Sequence, residues 1–162
     1  MKRLCIVLVV MLLLSGCAGQ ETFEQLGDVY NPVTAPMPKK VGLVLPSDAA
    51  APALSGDYGK LYFCDGYEIM VETLASGDLS DTVRDLTGYS RETLTLLETK
   101  QGEYKRYECV WTAAGEQGDR VGRAVILDDG SYHYCVSVMA DAEEVGALQA
   151  SWEALFGSFV LG

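Results

Sequence analysis

Cys64, Cys109, Cys135 and the single histidine, His133, are the side chains of this sequence best suited to carry chemistry. A thiol activated by an imidazole needs the pair within hydrogen-bond reach, about 3 Å. In "YHYCVSVM", Tyr132, Tyr134, Val136 and Val138 alternate with His133, Cys135, Ser137 and Met139, which marks a strand. Two positions apart on a strand, His133 and Cys135 are separated by about 7 Å along the chain. A "DDGS" turn that pairs Leu127 with Tyr132 sets Ala124 opposite Cys135 and Ile126 opposite His133. A preceding turn that pairs Ala113 with Gly122 sets Trp111 opposite Ala124 and Cys109 opposite Ile126. Cys109, Trp111, Ala124, Ile126, His133 and Cys135 then share one sheet face. Val110, Val125, Leu127, Tyr132, Tyr134 and Val136 share the other. Cys109 is two strands from both His133 and Cys135, roughly 10 Å, beyond the ~7 Å Cα limit for a disulfide. The register of Cys64 is not fixed, so a Cys64 disulfide and three buried, inert thiols both stay open. His133, flanked by tyrosines, is expected to be packed and hydrogen-bonded rather than to act as a base. A Ser-His-Asp site stays open because its members need not be neighbours in sequence.

Carboxylates are the other candidates. Asp128 and Asp129 lie in "LDDGSY", and Asp78 and Asp81 in "SGDLSD". A calcium site needs six to eight oxygens, and neither stretch has the spacing of an EF-hand loop. Asp129-Gly130 reads as a hairpin turn with solvated charge. No catalytic residue, cofactor or metal site is expected among these groups.

The start of the chain is more specific. Lys2 and Arg3 precede an uncharged apolar run from Leu4 to Leu14. At roughly 11 residues it is too short for a bilayer, which takes about 20, and matches a signal-peptide core. Leu14-Ser15-Gly16-Cys17 follows, and this segment resembles the lipobox of bacterial lipoprotein signals. The resemblance implies a signal peptide at 1–16 and a lipid-modified amino terminus at Cys17. Two or more acyl chains hold a protein firmly on a membrane without crossing it. Residues 17–38, with three prolines and little periodicity, read as a lipid-anchored flexible tether with a reach on the order of 25 Å. Residues 39–162 form one domain.

The chain carries 12 basic and 23 acidic residues; loss of Lys2 and Arg3 with the leader moves the formal charge from −11 to about −13. Such a surface is repelled by phosphate backbones and anionic headgroups, which argues against nucleic acid as a partner.

The elements that position these residues follow from pattern. "KKVGLVLPSD" offers a first strand ending at Pro46, and "KLYFCDGYEIMVETL" a hairpin around Asp65-Gly66. "SGDLSDTVRDLTGY" holds a short helix capped by Asp78 or Ser80 and ended by Gly88. "TLTLLET", "YKRYECVWTA", "VGRAVIL" and "YHYCVSVM" form a meander. In "DAEEVGALQASWEALFGSF", Asp141 and Glu144 have capping-box spacing, and Val145, Leu148, Trp152, Leu155, Phe156 and Phe159 form one apolar stripe. The expected class is α+β, an antiparallel sheet of about 5–7 strands packed by a long C-terminal helix and a short one.

This order of strand pair, helix, meander and helix ending in "LFGSFVLG" resembles the PsbP-like fold, an α/β/α sandwich also found in bacterial lipoproteins. The resemblance implies no catalytic residue. The expected role is a noncatalytic binding or accessory module for an envelope protein, held at the extracytoplasmic face of a cell membrane through Cys17. A contact surface involving Tyr58, Tyr62 or Tyr67 is expected. The alternative is a lipoprotein that binds a small ligand or metal ion, with a concave pocket.

Overall fold

Seven stretches of alternating side chains pair into one antiparallel sheet in the computed structural model, which describes residues 36–116 and 118–162. The leader, Cys17 and the tether as far as residue 35 lie outside the described residues. The strands are β1 (Val41–Gly42), β2 (Leu54–Ser55), β3 (Gly59–Phe63), β4 (Tyr67–Ala75), β5 (Leu97–Gln101), β6 (Tyr104–Ala114), β7 (Asp119–Asp128), β8 (Tyr132–Asp141) and β9 (Val160–Leu161). The large sheet runs β2-β3-β4-β8-β7-β6-β5, so the meander folds back and sets its last strand against β4. Gly66 and Gly130 adopt positive φ at two hairpin tips, where a side chain would be strained.

Helix α1 (Leu79–Thr87) begins where Asp78 accepts a hydrogen bond from the Ser80 amide at 2.9 Å, and ends at left-handed Gly88. Helix α2 (Val145–Ser158) turns Trp152, Leu155 and Phe156 inward as its stripe requires. The Asp141–Glu144 capping box does not form. Glu144 is itself helical, and its amide bonds the Asp141 carbonyl at 3.0 Å in a turn that leads into the helix. Asp141 ends β8, with its carboxylate toward Arg120.

The helices take opposite faces of the sheet. α2 covers Ile69, Val125, Leu127, Tyr134, Val136 and Val138. α1 and the short 3-10 turn at Arg91–Thr93 lie on the side of Val83, Tyr107, Ile126 and Cys135. The result is the expected three-layer α/β/α arrangement. Every residue assigned to a face from the alternation lies on that face.

The two registers differ from expectation by two residues each. Leu127 pairs with Tyr134, Ile126 with Cys135 and Asp128 with His133, because the hairpin tightens to Gly130-Ser131. Asp128 accepts from the Gly130 amide at 2.7 Å, and Asp129 from the Ser131 and Tyr132 amides at 2.9 and 2.8 Å, which pins that turn. In the preceding hairpin Cys109 pairs with Ala124, and Gly122 sits opposite Trp111 rather than Ala113. A Cβ on Gly122 would stand 2.3 Å from the indole ring, so only glycine leaves Trp111 room there.

The expected first strand shrinks to Val41–Gly42, which pairs with β9 instead of the large sheet. Lys40 and Gly162 exchange backbone hydrogen bonds at 3.2 and 2.9 Å, and the Val44 amide donates to Ser158 Oγ at 2.9 Å. The two ends of the domain are thereby stitched together. Among the described residues no helix is long and apolar enough to cross a membrane.

Candidate functional site

A depression lies on each face of the sheet at strands β3 and β4. On the α2 face, the segment at residues 38–45 and strands β3 and β4 bound a cleft of about 490 Å³. Lys39, Lys40 and Lys60 contribute positive charge to it, Asp57 a negative charge, and Tyr58 and Tyr62 aromatic surface. Tyr58 is presented by a tight turn between β2 and β3, closed by the Gly56 amide on the Gly59 carbonyl at 2.8 Å, and it is 60% exposed. Tyr62 is half-buried on the adjacent strand. Tyr67 departs from the expected aromatic surface. It is 5% exposed and packs against Trp152, with ring centroids 6.4 Å apart.

One wall of this cleft is fixed by a polar cluster. Tyr134 Oη accepts the Lys39 amide at 2.8 Å and donates to Asp129 Oδ2 at 3.1 Å, while Lys39 Nζ reaches the same oxygen at 3.1 Å. The Asp129 side chain is only 7% exposed, so it is not the solvated turn charge that sequence suggested. Burial alone would raise its carboxyl, but the Ser131 and Tyr132 amides, Lys39 and Tyr134 together hold it below the usual carboxylate range. Asp128 and Asp129 are spent on the turn and this cluster, Asp78 on the helix cap, and Asp81 on Arg84 at 2.6 Å.

The opposite depression, about 250 Å³, lies on the α1 face. Leu61, Met70, Trp111 and Met139 line it, with Glu72 of β4 and Asp85 of α1 at its rim. Burial, then the neighbouring Asp85 charge, push the Glu72 carboxyl up.

The thiols and the imidazole do not converge. Cys64, Cys109 and Cys135 are free thiols, with Cys109 and Cys135 buried on strands β6 and β8, which β7 separates. Burial pushes the Cys109 thiol up to about 11 and that of Cys135 higher still, which suppresses the thiolate. His133 is 2% exposed; its Nδ1 lies 2.7 Å from Thr82 Oγ1, and Nε2 is 3.9 Å from Asp128. It is a core histidine that ties α1 to the sheet, as its tyrosine-flanked position suggested.

Burial lowers the His133 pKa from 6.5 and outweighs the raising influence of Asp128 and Asp129. The unfolded chain therefore takes up a proton that the folded one refuses, and stability falls as pH drops below about 6.5. Urea unfolding at pH 6.5 and 5 is expected to show this loss, with a shallower pH slope in His133→Gln. Equal slopes in the two proteins would refute the assignment.

No protein-family model matches the chain. No curated protein matches it either. Solved structures do. Cyanobacterial PsbP (CyanoP) from Synechocystis sp. PCC 6803 is similar with a TM-score of 0.54 and 8% identity, over 75% of this chain and 86% of that one. LpqN of Mycobacterium tuberculosis, described as involved in cell envelope biogenesis, is similar with a TM-score of 0.50 and 10% identity, over 80% of this chain and 87% of that one. A protein from Bacteroides thetaiotaomicron gives a TM-score of 0.52 and 11% identity, and this chain spans 45% of its length. At these identities the likeness is one of fold, and the fold of this chain is the PsbP-like antiparallel sheet with a helix on each face.

Proposed function

We propose that this chain is a lipid-anchored, noncatalytic binding module that serves an envelope protein or assembly from the extracytoplasmic face of a membrane. Cys17 carries the lipid after removal of residues 1–16, residues 17–38 are the tether, and residues 39–162 are the binding domain. The observation that carries this reading is the exposed apolar and aromatic edge of the sheet at β2, β3 and the turn between them. Leu54, Tyr58 and Phe63 are 65%, 60% and 50% exposed there, around two depressions. Clustered exposed apolar and aromatic groups mark contact surfaces. LpqN, which has the same fold and is involved in cell envelope biogenesis, supports an envelope role. The charge of −11 supports a protein partner over nucleic acid.

Cross-linking in the native membrane, followed by co-purification and mass spectrometry, tests the reading. A reproducible membrane partner is expected, and it is expected to be lost when Leu54, Tyr58 and Phe63 are changed together to serine. Cys17→Ser is expected to move the protein from the membrane to the soluble fraction. Retention in the membrane would sink the anchor, and failure to capture any partner would sink the binding role. The lysine-lined cleft favours a second reading, since its 490 Å³ lies in the size range of small-ligand sites. With Lys39 paired to Asp129, Lys40 and Lys60 outweigh Asp57 by one charge, which suits a small molecule with a single anionic group.

A further inference from the structure

The depression on the α1 face is smaller than a small-molecule site and has room for one side chain. Its 250 Å³ lies below the roughly 300 Å³ at which small-molecule sites begin. Its lining is mixed: Leu61, Met70, Trp111 and Met139 supply an apolar part, in which methionines adapt their shape to what they meet, and acidic side chains supply a polar one. Its rim is anionic. Glu68 is matched by Arg120 at 3.2 Å, but Glu72 and Asp85 face each other from β4 and α1 with no basic partner among the described residues. Strand register carries the same face outward through Leu61 and Met70, which are paired, to exposed Leu54 opposite Leu61 and to exposed Phe63 opposite Glu68.

We infer that this groove receives a single arginine side chain from a partner segment in which apolar residues flank the arginine. The methylene stem would lie on the methionines and Trp111, and the planar guanidinium would meet Glu72 and Asp85 together. Leu54 and Phe63 would take the flanking apolar residues. Charge argues against occupants from this protein itself. Residues 18–35 contain Glu21, Glu24 and Asp28 and no basic residue, and a second copy without its leader brings the same charge of about −13. The inference rests on the binding-module reading and names the partner's chemistry.

Trp111 and Trp152 are the only tryptophans, so in full-length Trp152→Phe protein the emission reports the groove alone. The probe is N-acetyl-Leu-Arg-Leu-amide, with glutamine in place of arginine as control. A saturable emission change with the arginine peptide is expected, weakened about tenfold by Glu72→Gln with Asp85→Asn, since one well-placed charge pair lost is about 1.4 kcal/mol. Glu98→Gln with Glu103→Gln removes the same charge from exposed positions on the β5–β6 hairpin and is expected to leave binding unchanged. Equal binding of the glutamine peptide, or equal weakening by the hairpin pair, would overturn the inference. If Trp152→Phe does not fold, amide shifts of Met70 and Glu72 in the unaltered chain give the same reading. Native capture of a partner beside a failed titration removes the groove assignment alone. A successful titration with no captured partner removes the envelope role and leaves the groove.

Discussion

Gly122→Ala is expected to destabilise the domain by about 1–3 kcal/mol, although it adds one methyl group to a strand. Trp111 and Gly122 are direct cross-strand partners, and the new Cβ would lie 2.3 Å from two indole carbons. The indole cannot retreat freely, because it packs with Cys109, Ala124, Leu94, Leu96 and Met139 and is almost wholly buried. Trp111→Ala alone is expected to cost about 3–5 kcal/mol. The double variant provides the decisive comparison. With the indole gone the alanine fits, so the two losses should fall short of adding by about 1–2 kcal/mol. Additive losses in urea unfolding would show that the clash is relieved elsewhere and that glycine is not required by the tryptophan.

Asp129→Ala is the second change with a large expected effect, about 2–3 kcal/mol, because it removes a buried acceptor of several hydrogen bonds. The Ser131 and Tyr132 amides and the Tyr134 hydroxyl all lose their partner together. Asp129→Asn keeps an oxygen for the turn and should lose about 1 kcal/mol. Faster amide exchange at Lys39 and Lys40 in Asp129→Ala is the local signature expected of a loosened first segment. Unchanged exchange there would show that the cluster does not hold that segment. The folded Asp129 carboxyl lies below its ordinary 3.8, so its contribution is complete above about pH 4 and disappears as pH falls through the folded value.

Much of the architecture was legible because alternation and helical periodicity are local. The faces of β6, β7 and β8, the Asp78 cap, the Gly88 stop and the stripe of α2 all follow from residue order over a few positions. Register was less legible, since it depends on where a turn closes. The two aspartates extend the β7–β8 ladder by bonding their own turn, and Trp111 selects the strand position with no side chain opposite. The Asp141 box failed because a turn intervenes before α2. Of the candidate site, the acidic rim carried a usable signal. Glu68, Met70 and Glu72 alternate in "YEIMVETL" and had to share a face. The meeting of Glu72 with Asp85, and of Lys39 with Asp129 and Tyr134, depends on contacts between residues far apart in the chain. Periodicity contains no information about them.

Under the proposed attachment through Cys17, the pairing of β1 with β9 has a mechanical meaning. A pull transmitted through residue 38 meets first the contacts of Lys39 with the Asp129 and Tyr134 side chains at the β7–β8 hairpin, then the Lys40–Gly162 and Val44–Ser158 bonds, before any backbone ladder of the seven-stranded sheet is loaded. Those bonds are few and lie in series, so they would yield one after another while the sheet and both its helices stay intact. Under that attachment the short ladder would be a sacrificial link. Stretching would lengthen the proposed tether by the residues it releases and would open the lysine-lined cleft that those residues bound, while the depression on the α1 face, which none of them lines, would stay closed.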